Sequence, residues 1–293
     1  MQSARYINPL TDYGFKKLFG NEDIMIAFLT DLLEPKSPIA HITFLDKDAL
    51  GESTYERGVI YDLRCTSEDG SEFIVEMQNK GQQNFSDRIL YYLSRSISSQ
   101  ERSGDGGWDY ELKPVYGIFF INFHLRGFKP MTVRTVQMKV DETGETFNEK
   151  MKAFTLELPD YRSMKEEECT RPIDYWLYNL SNMETMTTSM PFQAQRPIFG
   201  KVGNIAELIN MNEEERQKYN ISIDSYRSNL SAMKNERDEG RKEGLAKGRA
   251  EGFEKGLAAG RIEIARNMKQ MGVAVEVIAR STGLSESEIE AIE

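Results

Sequence analysis

The chain has 293 residues, of which 39% are hydrophobic, and its 47 acidic and 37 basic residues give a net charge of −10. This apolar content excludes wholesale disorder, and the acidic balance argues against non-specific coating of nucleic acid, which requires a broad basic surface. No apolar run approaches the ~20 residues of a membrane-spanning helix, and the first residues lack the apolar segment of a secretory signal. We therefore expect a cytoplasmic protein that does not enter a membrane.

Few residues of the chain could bind a transition metal. Its two cysteines, Cys65 and Cys169, are too few for a zinc site or a disulfide framework, and we expect reduced, semi-buried thiols. The two histidines, His41 and His124, are far apart in the sequence. A catalytic metal would therefore bind to carboxylates, which favours Mg²⁺ or Mn²⁺ over zinc.

Up to about residue 220 the hydrophobic patterns predict one compact, mixed α/β unit. A helical pattern over residues 11–33 is interrupted at Gly20–Asn21. The near-continuous apolar run over residues 115–123 is typical of a strand that is buried on both faces. The remaining predicted elements are strands at 41–45, 58–66 and 72–78, a helix at 84–101, a hairpin of strands at 131–140 and 151–158, and helices at 173–183 and 198–218.

The strands at 58–66 and 72–78 are predicted to form a hairpin whose turn fixes its register. If Ser67 pairs with Ser71, the loop has three residues and places Gly70 where a positive φ is needed. In this register Asp62 lies directly opposite Glu76, with Cβ atoms about 4.5–5.5 Å apart. Two carboxylates at this distance repel each other unless a cation lies between them.

Gln78 shares a face with Glu76 because side chains alternate along a strand, and its predicted cross-strand partner is Ile60. Two interpretations of this face remain open. An ordinary amphipathic hairpin would expose a continuously polar face to water, whereas Ile60 and Ile74 indicate that this face is partly covered. A covered carboxylate pair requires a ligand.

The helix after Gln78 has a polar ridge beside its apolar stripe. The stripe consists of Phe85, Ile89 and Leu93, and the ridge consists of Arg88, Tyr92, Arg95 and Ser99. Two arginines and a tyrosine on one ridge suit contacts to phosphate, although a solvated helix face has the same pattern.

Further charged residues lie near these elements in the sequence. Lys80 and the adjacent Lys16 and Lys17 add positive charge. Asp12 and Glu22, both on the first helix, are candidates for a third acidic ligand.

The C-terminal part of the chain has a different pattern. A glycine occupies every fourth position from Gly240 to Gly260, which leaves two interpretations: a flexible linker, or a helix whose glycines pack against a partner helix. The last 20 residues predict a helix–turn–helix, in which Ser285 and Glu288 have the spacing of a capping box. The second helix is acidic, which favours a protein-contact or capping role over DNA reading.

Together these segments resemble the PD-(D/E)XK nuclease superfamily, and more closely its nuclease-family transposases, the branch of the recombination-promoting nucleases. The resemblance covers almost the whole chain. It rests on an aspartate in a strand, a hairpin, Glu-x-Gln and a helix that reads F-x-x-R-x-x-Y-Y, together with NPLTDYGFKKLFG, VEMQ, FSDRILYY, LKPVYGIFFINF, FTLELPDY, NMNEEERQKY and the glycine-periodic tail.

The resemblance implies a restriction-endonuclease-like αβββαβ core with a mixed sheet, followed by a helical C-terminal extension. Asp62 and Glu76 match the acidic metal ligands, and the carbonyl of Met77 would be a further ligand. Gln78 takes the catalytic position where the wider superfamily has a lysine, and Tyr61 stands in place of its proline. Gln can form hydrogen bonds but carries no charge, and Lys80 points the same way only if the strand continues.

The leading hypothesis is a Mg²⁺- or Mn²⁺-dependent DNA endonuclease, a phosphodiesterase linked to recombination, mobile elements or defence. It would be a homo-oligomer, most simply a dimer, because a duplex cut needs two strand scissions. One alternative is a nuclease fold that binds DNA or a protein without cleaving, and another is a scaffold whose tail oligomerises. The predicted domains are a nuclease-like domain at 1–235, the glycine-periodic segment at 236–262 and a helix–turn–helix segment at 263–293.

Overall fold

The structure, a computed structural model, describes residues 4–45, 48–49, 59–60, 62–100, 109 and 111–292. The described strands are β1 (Ile42–Phe44), β2 (Asp48–Ala49), β3 (Val59–Ile60), β4 (Leu63–Ser67), β5 (Glu72–Gln78), β6 (Val115–Ile121), β7 (Val133–Lys139) and β8 (Thr146–Glu157). The described α-helices are α1 (Asp12–Phe19), α2 (Glu22–Leu33), α3 (Phe85–Ser98), α4 (Pro172–Asn182), α5 (Ile198–Ala206), α6 (Glu213–Gln270), α7 (Val275–Thr282) and α8 (Glu286–Glu290).

The central element is a mixed sheet with the strand order β1–β4–β5–β6–β8–β7. β5, β6 and β8 run parallel to one another, while β4 is antiparallel to β5 and β7 is antiparallel to β8. β2 and β3 pair separately. The carboxyl ends of the three parallel strands therefore meet at one edge of the sheet, and side chains from different strands can converge there.

Helices cover both faces of this sheet. On one face, aromatic rings of α1 and α2 surround Phe120 of β6, with centroid distances of 5.5 Å to Phe15, 5.2 Å to Phe19 and 5.1 Å to Phe28. On the other face, α3 packs on Ile74 and Phe119 in a smaller cluster. β6 is thus buried on both faces, as its apolar sequence predicts, and the α/β class with a mixed sheet is confirmed.

The predicted interruption of the first helix is also confirmed. α1 ends at Phe19 and α2 begins at Glu22, and the side chain of Asn21 accepts a hydrogen bond from the Ile24 amide at 3.3 Å. Such a cap satisfies a backbone donor that a helix start leaves unpaired.

The continuous helix predicted at 198–218 is wrong. α5 ends at Ala206, because Glu207 bridges to Tyr6 and the Leu208 amide donates to the carbonyl of Arg5, which draws the backbone away from the helix. α6 then starts anew behind Asn212, whose side chain accepts a hydrogen bond from the Glu215 amide at 2.9 Å. An asparagine followed three residues later by a glutamate is a signal for the start of a helix. The prediction from apolar periodicity did not take it into account.

The glycine-periodic segment is helical, which excludes the flexible linker, while the packing of its glycines against a partner helix stays a prediction. α6 continues through all of these glycines, and a Cβ added at any position from Gly240 to Gly260 would meet no other atom within 4 Å. None of the described helices combines the length and the apolar character needed to cross a bilayer.

The last two helices confirm the predicted helix–turn–helix. α7 ends at Gly283, which has a φ of 73°, and Ser285 and Glu288 form the capping box of α8. Ile278 and Ile289 are buried together with Ala265 of α6 in a small cluster. By its contacts the chain forms two compact units, residues 1–227 and 228–293. The predicted boundaries at 235/236 and 262/263 remain predictions.

Candidate active site

The predicted register of the β4–β5 hairpin is confirmed. β4 and β5 pair from Leu63 with Val75 to Thr66 with Glu72, and the Ser67 amide donates to the Ser71 carbonyl at 3.0 Å. Gly70 in the loop has a φ of 82°, a conformation that favours glycine.

The prediction of one continuous strand over residues 58–66 is wrong. β3 pairs with β2, and β4 begins only at Leu63, with Asp62 in a bend just before it. Ile60 therefore pairs with Asp48 and not with Gln78. Residues 58 and 61, and with them the tyrosine at the superfamily's proline position, lie outside the described residues.

Asp62 and Glu76 are linked by two crossed hydrogen bonds. The amide of Asp62 donates to Oε1 of Glu76 at 2.9 Å, and the amide of Met77 donates to Oδ2 of Asp62 at 2.9 Å. Glu76 is 1% exposed and Asp62 is half-buried. Because of the bend, the backbone of Asp62 is not part of the β4–β5 ladder. Its side chain accepts a hydrogen bond from β5 instead.

The backbone of Met77 faces the same position. The N–H and C=O groups of one residue lie on the same edge of a strand, since paired residues of an antiparallel ladder exchange both bonds. The Met77 amide points to Asp62, so its carbonyl lies on the β4 side of β5 as well. By contrast, the carbonyl of Gln78 faces β6, where it accepts from the Asn122 amide at 2.9 Å.

The two carboxyl groups are mutually unfavourable when both are charged. Burial, and then the neighbouring charge of Asp62, raise the pKa of Glu76 to about 7. Burial also raises the pKa of Asp62, against the lowering effects of the Met77 amide and of Lys16. A pair of this kind favours a bound cation, because a cation allows both carboxylates to ionise.

Gln78 and Arg88 complete the polar contacts of Glu76. Nε2 of Gln78 donates to Oε2 of Glu76 at 3.1 Å, and Oε1 of Gln78 accepts from Arg88 at 3.2 Å. The guanidinium of Arg88 also lies 3.4 Å from Oε2 of Glu76. Gln78 carries no charge, and Arg88 of α3 therefore supplies a positive charge beside it.

The predicted ridge of α3 divides in the structure. Arg88 donates to the hydroxyl of Tyr92 at 3.0 Å and lies 5.0 Å from the centre of its ring, so both belong to the carboxylate site. Arg95 lies farther along the helix and is half-buried. Lys80 is exposed, and β5 ends at Gln78, so the condition under which Lys80 would point like Gln78 is not met.

The two candidates for a third acidic ligand have different surroundings. Asp12 forms an ion pair with Lys16, and the charges of both influence Asp62. Glu22 instead lies beside β1, where its carboxylate accepts a hydrogen bond from the Ile42 amide at 3.2 Å and lies 3.4 Å from His41. The structure thus brings Asp12 and Lys16 of α1 toward the carboxylate site.

The donor set fits a hard divalent cation. Two carboxylates, a backbone carbonyl and a side-chain amide are all oxygen donors, the type that Mg²⁺ and Mn²⁺ prefer. Within the described part of the chain, no three His, Cys, Asp or Glu side chains cluster closely enough to form a metal site. This agrees with Mg²⁺, which commonly uses one or two carboxylates and keeps several waters.

The contacts of Arg88 with Glu76 and Gln78 were not predicted from the sequence, where Arg88 was assigned to phosphate contacts from the polar ridge of the helix. The signal was available, because Arg88 begins the second turn of a helix that directly follows β5. The two cysteines are buried free thiols, as expected of reduced residues.

Comparison with known proteins gives two matching family models. The family model described as PD-(D/E)XK nuclease family transposase matches residues 9–236, and the model described as Rpn/YhgA-like nuclease family, C-terminal HTH domain, matches residues 259–293. No curated protein and no solved structure matches the chain significantly. The first match spans more than half of the sequence and includes the whole carboxylate site, and the chain therefore belongs to the PD-(D/E)XK nuclease family transposases.

Proposed function

We propose that this protein is a DNA endonuclease that hydrolyses phosphodiester bonds with Mg²⁺ or Mn²⁺. The observation that carries the proposal is the buried, cross-bonded pair of Asp62 and Glu76 at the end of β5. Family membership supports phosphodiester chemistry. A setting in recombination, mobile elements or defence is proposed from the family alone.

In this proposal Asp62, Glu76 and the carbonyl of Met77 hold the metal. When bound, the cation would neutralise charge on the scissile phosphate and lower the pKa of an attacking water. Gln78 would orient that water through its amide, which is itself held by Glu76 and Arg88. Water attacks phosphorus, the bond from phosphorus to the leaving oxygen breaks, and the leaving oxygen takes a proton.

The surrounding cations have separate roles in the proposal. Arg88 contacts Glu76 and Gln78 and would stabilise the charge that develops on the phosphate. Tyr92 holds the guanidinium through its hydroxyl and ring. Arg95 and Lys80 would contact the DNA backbone away from the reacting phosphate. Asp12 would act near the site as an outer acidic group, and Glu22 is the weaker candidate because it supports β1.

A second candidate function is binding without cleavage. The observation that favours it is Gln78, which has no charge and whose amide is already occupied by Glu76 and Arg88. On this reading the protein binds DNA or a protein partner, and metal adds little.

We also propose that the chain is a homo-oligomer, most simply a dimer, that associates through α6. The glycine positions from Gly240 to Gly260 are open, and exposed apolar side chains such as Leu245, Phe253 and Leu257 lie among them. Six glycines would make an isolated helix marginal, at about 1 kcal/mol each relative to alanine, so a partner helix would compensate. For the C-terminal helix–turn–helix we retain the protein-contact or capping role, because α8 carries Glu286, Glu288 and Glu290.

Cleavage of supercoiled plasmid tests the proposed function. The protein is incubated with Mg²⁺ or Mn²⁺ beside Glu76→Ala, Asp62→Asn and an EDTA control, with Glu142→Gln in the exposed β7–β8 turn as the matched carboxylate control. We expect nicked or linear product from the wild type and from Glu142→Gln, and none from the site variants or with EDTA. Absence of product with either metal, together with retained DNA binding, would favour the second candidate.

A further inference from the structure

A second polar cluster lies beside the carboxylate site and has no role in the proposed chemistry. Glu157 is the last residue of β8 and is 1% exposed. His124 follows the end of β6, and its Nδ1 lies 3.0 Å from Oε2 of Glu157. A buried carboxylate requires paired or hydrogen-bonded neighbours.

Both oxygens of Glu157 are occupied by the protein. Oε2 contacts His124, while Oε1 accepts from Arg134 at 3.1 Å and from the Leu125 amide at 3.4 Å. With both oxygens occupied, Glu157 can position its neighbours and has little capacity left for a ligand of its own.

The loop that carries His124 is held at several points. Arg134 donates to the carbonyl of Lys129 at 2.7 Å and lies 5.1 Å from the centre of the Phe128 ring. Gly127 has a φ of 83° and forms the bend of the loop. The side chain of His124 remains 55% exposed, with Nε2 directed outward and 3.5 Å from Asp160.

The cluster lies on the same face of the sheet as the carboxylate site. In the parallel ladder Gln78 pairs with Ile121, and Ile121 pairs with Glu157. Residues in register on neighbouring strands share a face. Gln78 and Glu157 are thus two strands apart, or about 10 Å at roughly 4.8 Å per strand.

The exposed residues around His124 favour an anion. Arg126 and Lys129 are exposed on the same loop, and Arg134 supports it from β7. Asp160 is the acidic group that faces the ring from the other side. The exposed charge of the loop is therefore positive, in a chain whose net charge is −10.

We propose that His124, Arg126 and Lys129 bind a backbone phosphate of the DNA, about three nucleotides from the scissile phosphate. The spacing follows from about 10 Å between the sites and roughly 3.4 Å of rise per nucleotide. Glu157 and Arg134 are positioning residues. With the phosphate bound, Nδ1 of His124 would face Glu157 and Nε2 would donate to the phosphate. This inference rests on the proposed nuclease function, because it assigns the ligand as DNA.

Histidine NMR of the full chain tests the inference without requiring turnover. The chain has only two histidines, so His41→Gln assigns both ring signals, and His41, exposed beside Glu22, is the matched control. A duplex oligonucleotide is added in EDTA until fluorescence anisotropy shows saturation. We expect the ring nitrogen signals of His124 to shift on DNA binding, and those of His41 to stay in place.

Affinity gives an independent readout. We expect His124→Ala to weaken duplex binding in EDTA by about 3–10-fold and to reduce its salt dependence, while His41→Ala binds like the wild type. Unchanged His124 signals at saturation, with unchanged affinity of His124→Ala, would overturn the inference even if plasmid is cut. A His124 response without plasmid cleavage would instead support this site and contradict the proposed nuclease activity.

Discussion

Glu76 is a buried carboxylate whose charge opposes folding of the metal-free protein. Its pKa is about 7 in the folded chain, against an ordinary value of 4.5. When the pKa of a carboxyl group is higher in the folded chain than in the unfolded chain, the free energy of unfolding falls as the pH rises from the unfolded pKa through the folded pKa. Above the folded pKa it falls no further. We therefore expect Glu76→Gln to raise the free energy of unfolding by about 1–3 kcal/mol at pH 8 and to change it little at pH 5, measured by urea denaturation in EDTA.

Glu72 provides the matched control for this prediction. It is buried in the same strand and shares a face with Glu76, but it is paired with Arg64 through bonds of 2.5 and 3.1 Å. Removing its charge abolishes the ion pair with the half-buried Arg64, so Glu72→Gln should lower the free energy of unfolding. If both variants gain stability at pH 8, repulsion from Asp62 is not the cause of the gain at Glu76.

Arg88 supplies a positive charge beside Gln78, the position where the wider superfamily has a lysine. Because it contacts both Glu76 and Gln78, we expect Arg88→Ala to lower kcat for plasmid nicking on the order of 10²-fold, the usual effect of losing a donor that stabilises transition-state charge. Arg88→Lys should recover part of this loss. Rates from single-turnover nicking measure the effect.

Arg95→Ala separates this role from simple attraction of DNA. Arg95 is on the same helix, about two turns beyond Arg88. Its loss should raise KM and flatten the salt dependence, with a smaller change in kcat. Wild-type kcat in Arg88→Ala would remove Arg88 from the chemistry.

At the scale of elements, the β4–β5 turn sets the register on which the carboxylate site depends. Gly70 has a φ of 82°, and an added Cβ would lie 3.3 Å from the side chain of Lys113. We expect Gly70→Ala to lower the free energy of unfolding by about 1–2 kcal/mol. Gly70→Asn should cost less, since asparagine tolerates this conformation. Urea denaturation compares the two, and an equal loss in both would assign the cost to crowding by Lys113.

The elements that could be predicted from the sequence are those with local signals. The three-residue loop fixed the register of β4 against β5, which brings Asp62 close to Glu76, and Asn21 marked the break between α1 and α2. The break before β4 and the turn at Glu207 have non-local causes, namely the bonds from Asp62 to β5 and from Arg5 to Leu208. Periodicity within one segment contains no information about such partners.

The same limit applies to the sites. Asp62, Glu76 and Gln78 lie within one hairpin, so strand alternation was enough to group them. His124 and Glu157 meet only because β6 and β8 are parallel neighbours in a particular register. No local pattern predicts that register, and the cluster became visible only in the fold.

At the scale of the whole molecule, the two compact units have separate cores. The core of residues 1–227 already includes Tyr219 and Ile223 from the first turns of α6, and the Asn8 amide donates to the Tyr219 hydroxyl at 2.9 Å. The small cluster around Ile278 and Ile289 belongs to residues 228–293. Among the described residues, those of the larger core all precede residue 228, so a chain that ends after residue 235 retains them.

This separation allows the oligomerisation proposal to be tested directly. We expect the full chain to elute as a dimer in size-exclusion chromatography with light scattering, and the chain ending after residue 235 to elute as a folded monomer. Gly252→Ala is the finer test, because on a solvated helix it adds about 1 kcal/mol of helix stability, whereas at a close helix–helix contact it weakens the dimer. An unchanged subunit number in the truncated chain would exclude α6 as the association surface.

The same variants connect assembly with the proposed chemistry. Each chain has one carboxylate site, and a duplex cut needs two scissions, so a dimer places two sites on one DNA molecule. We expect the truncated monomer to nick supercoiled plasmid at a rate near that of the wild type but to produce linear DNA only late, from independent nicks. Time courses of nicked and linear product measure this ratio. Early linear product from the monomer would mean that residues 236–293 are not needed for double-strand cutting. The acidic helix–turn–helix would then be expected to bind another partner, and that partner would determine its role.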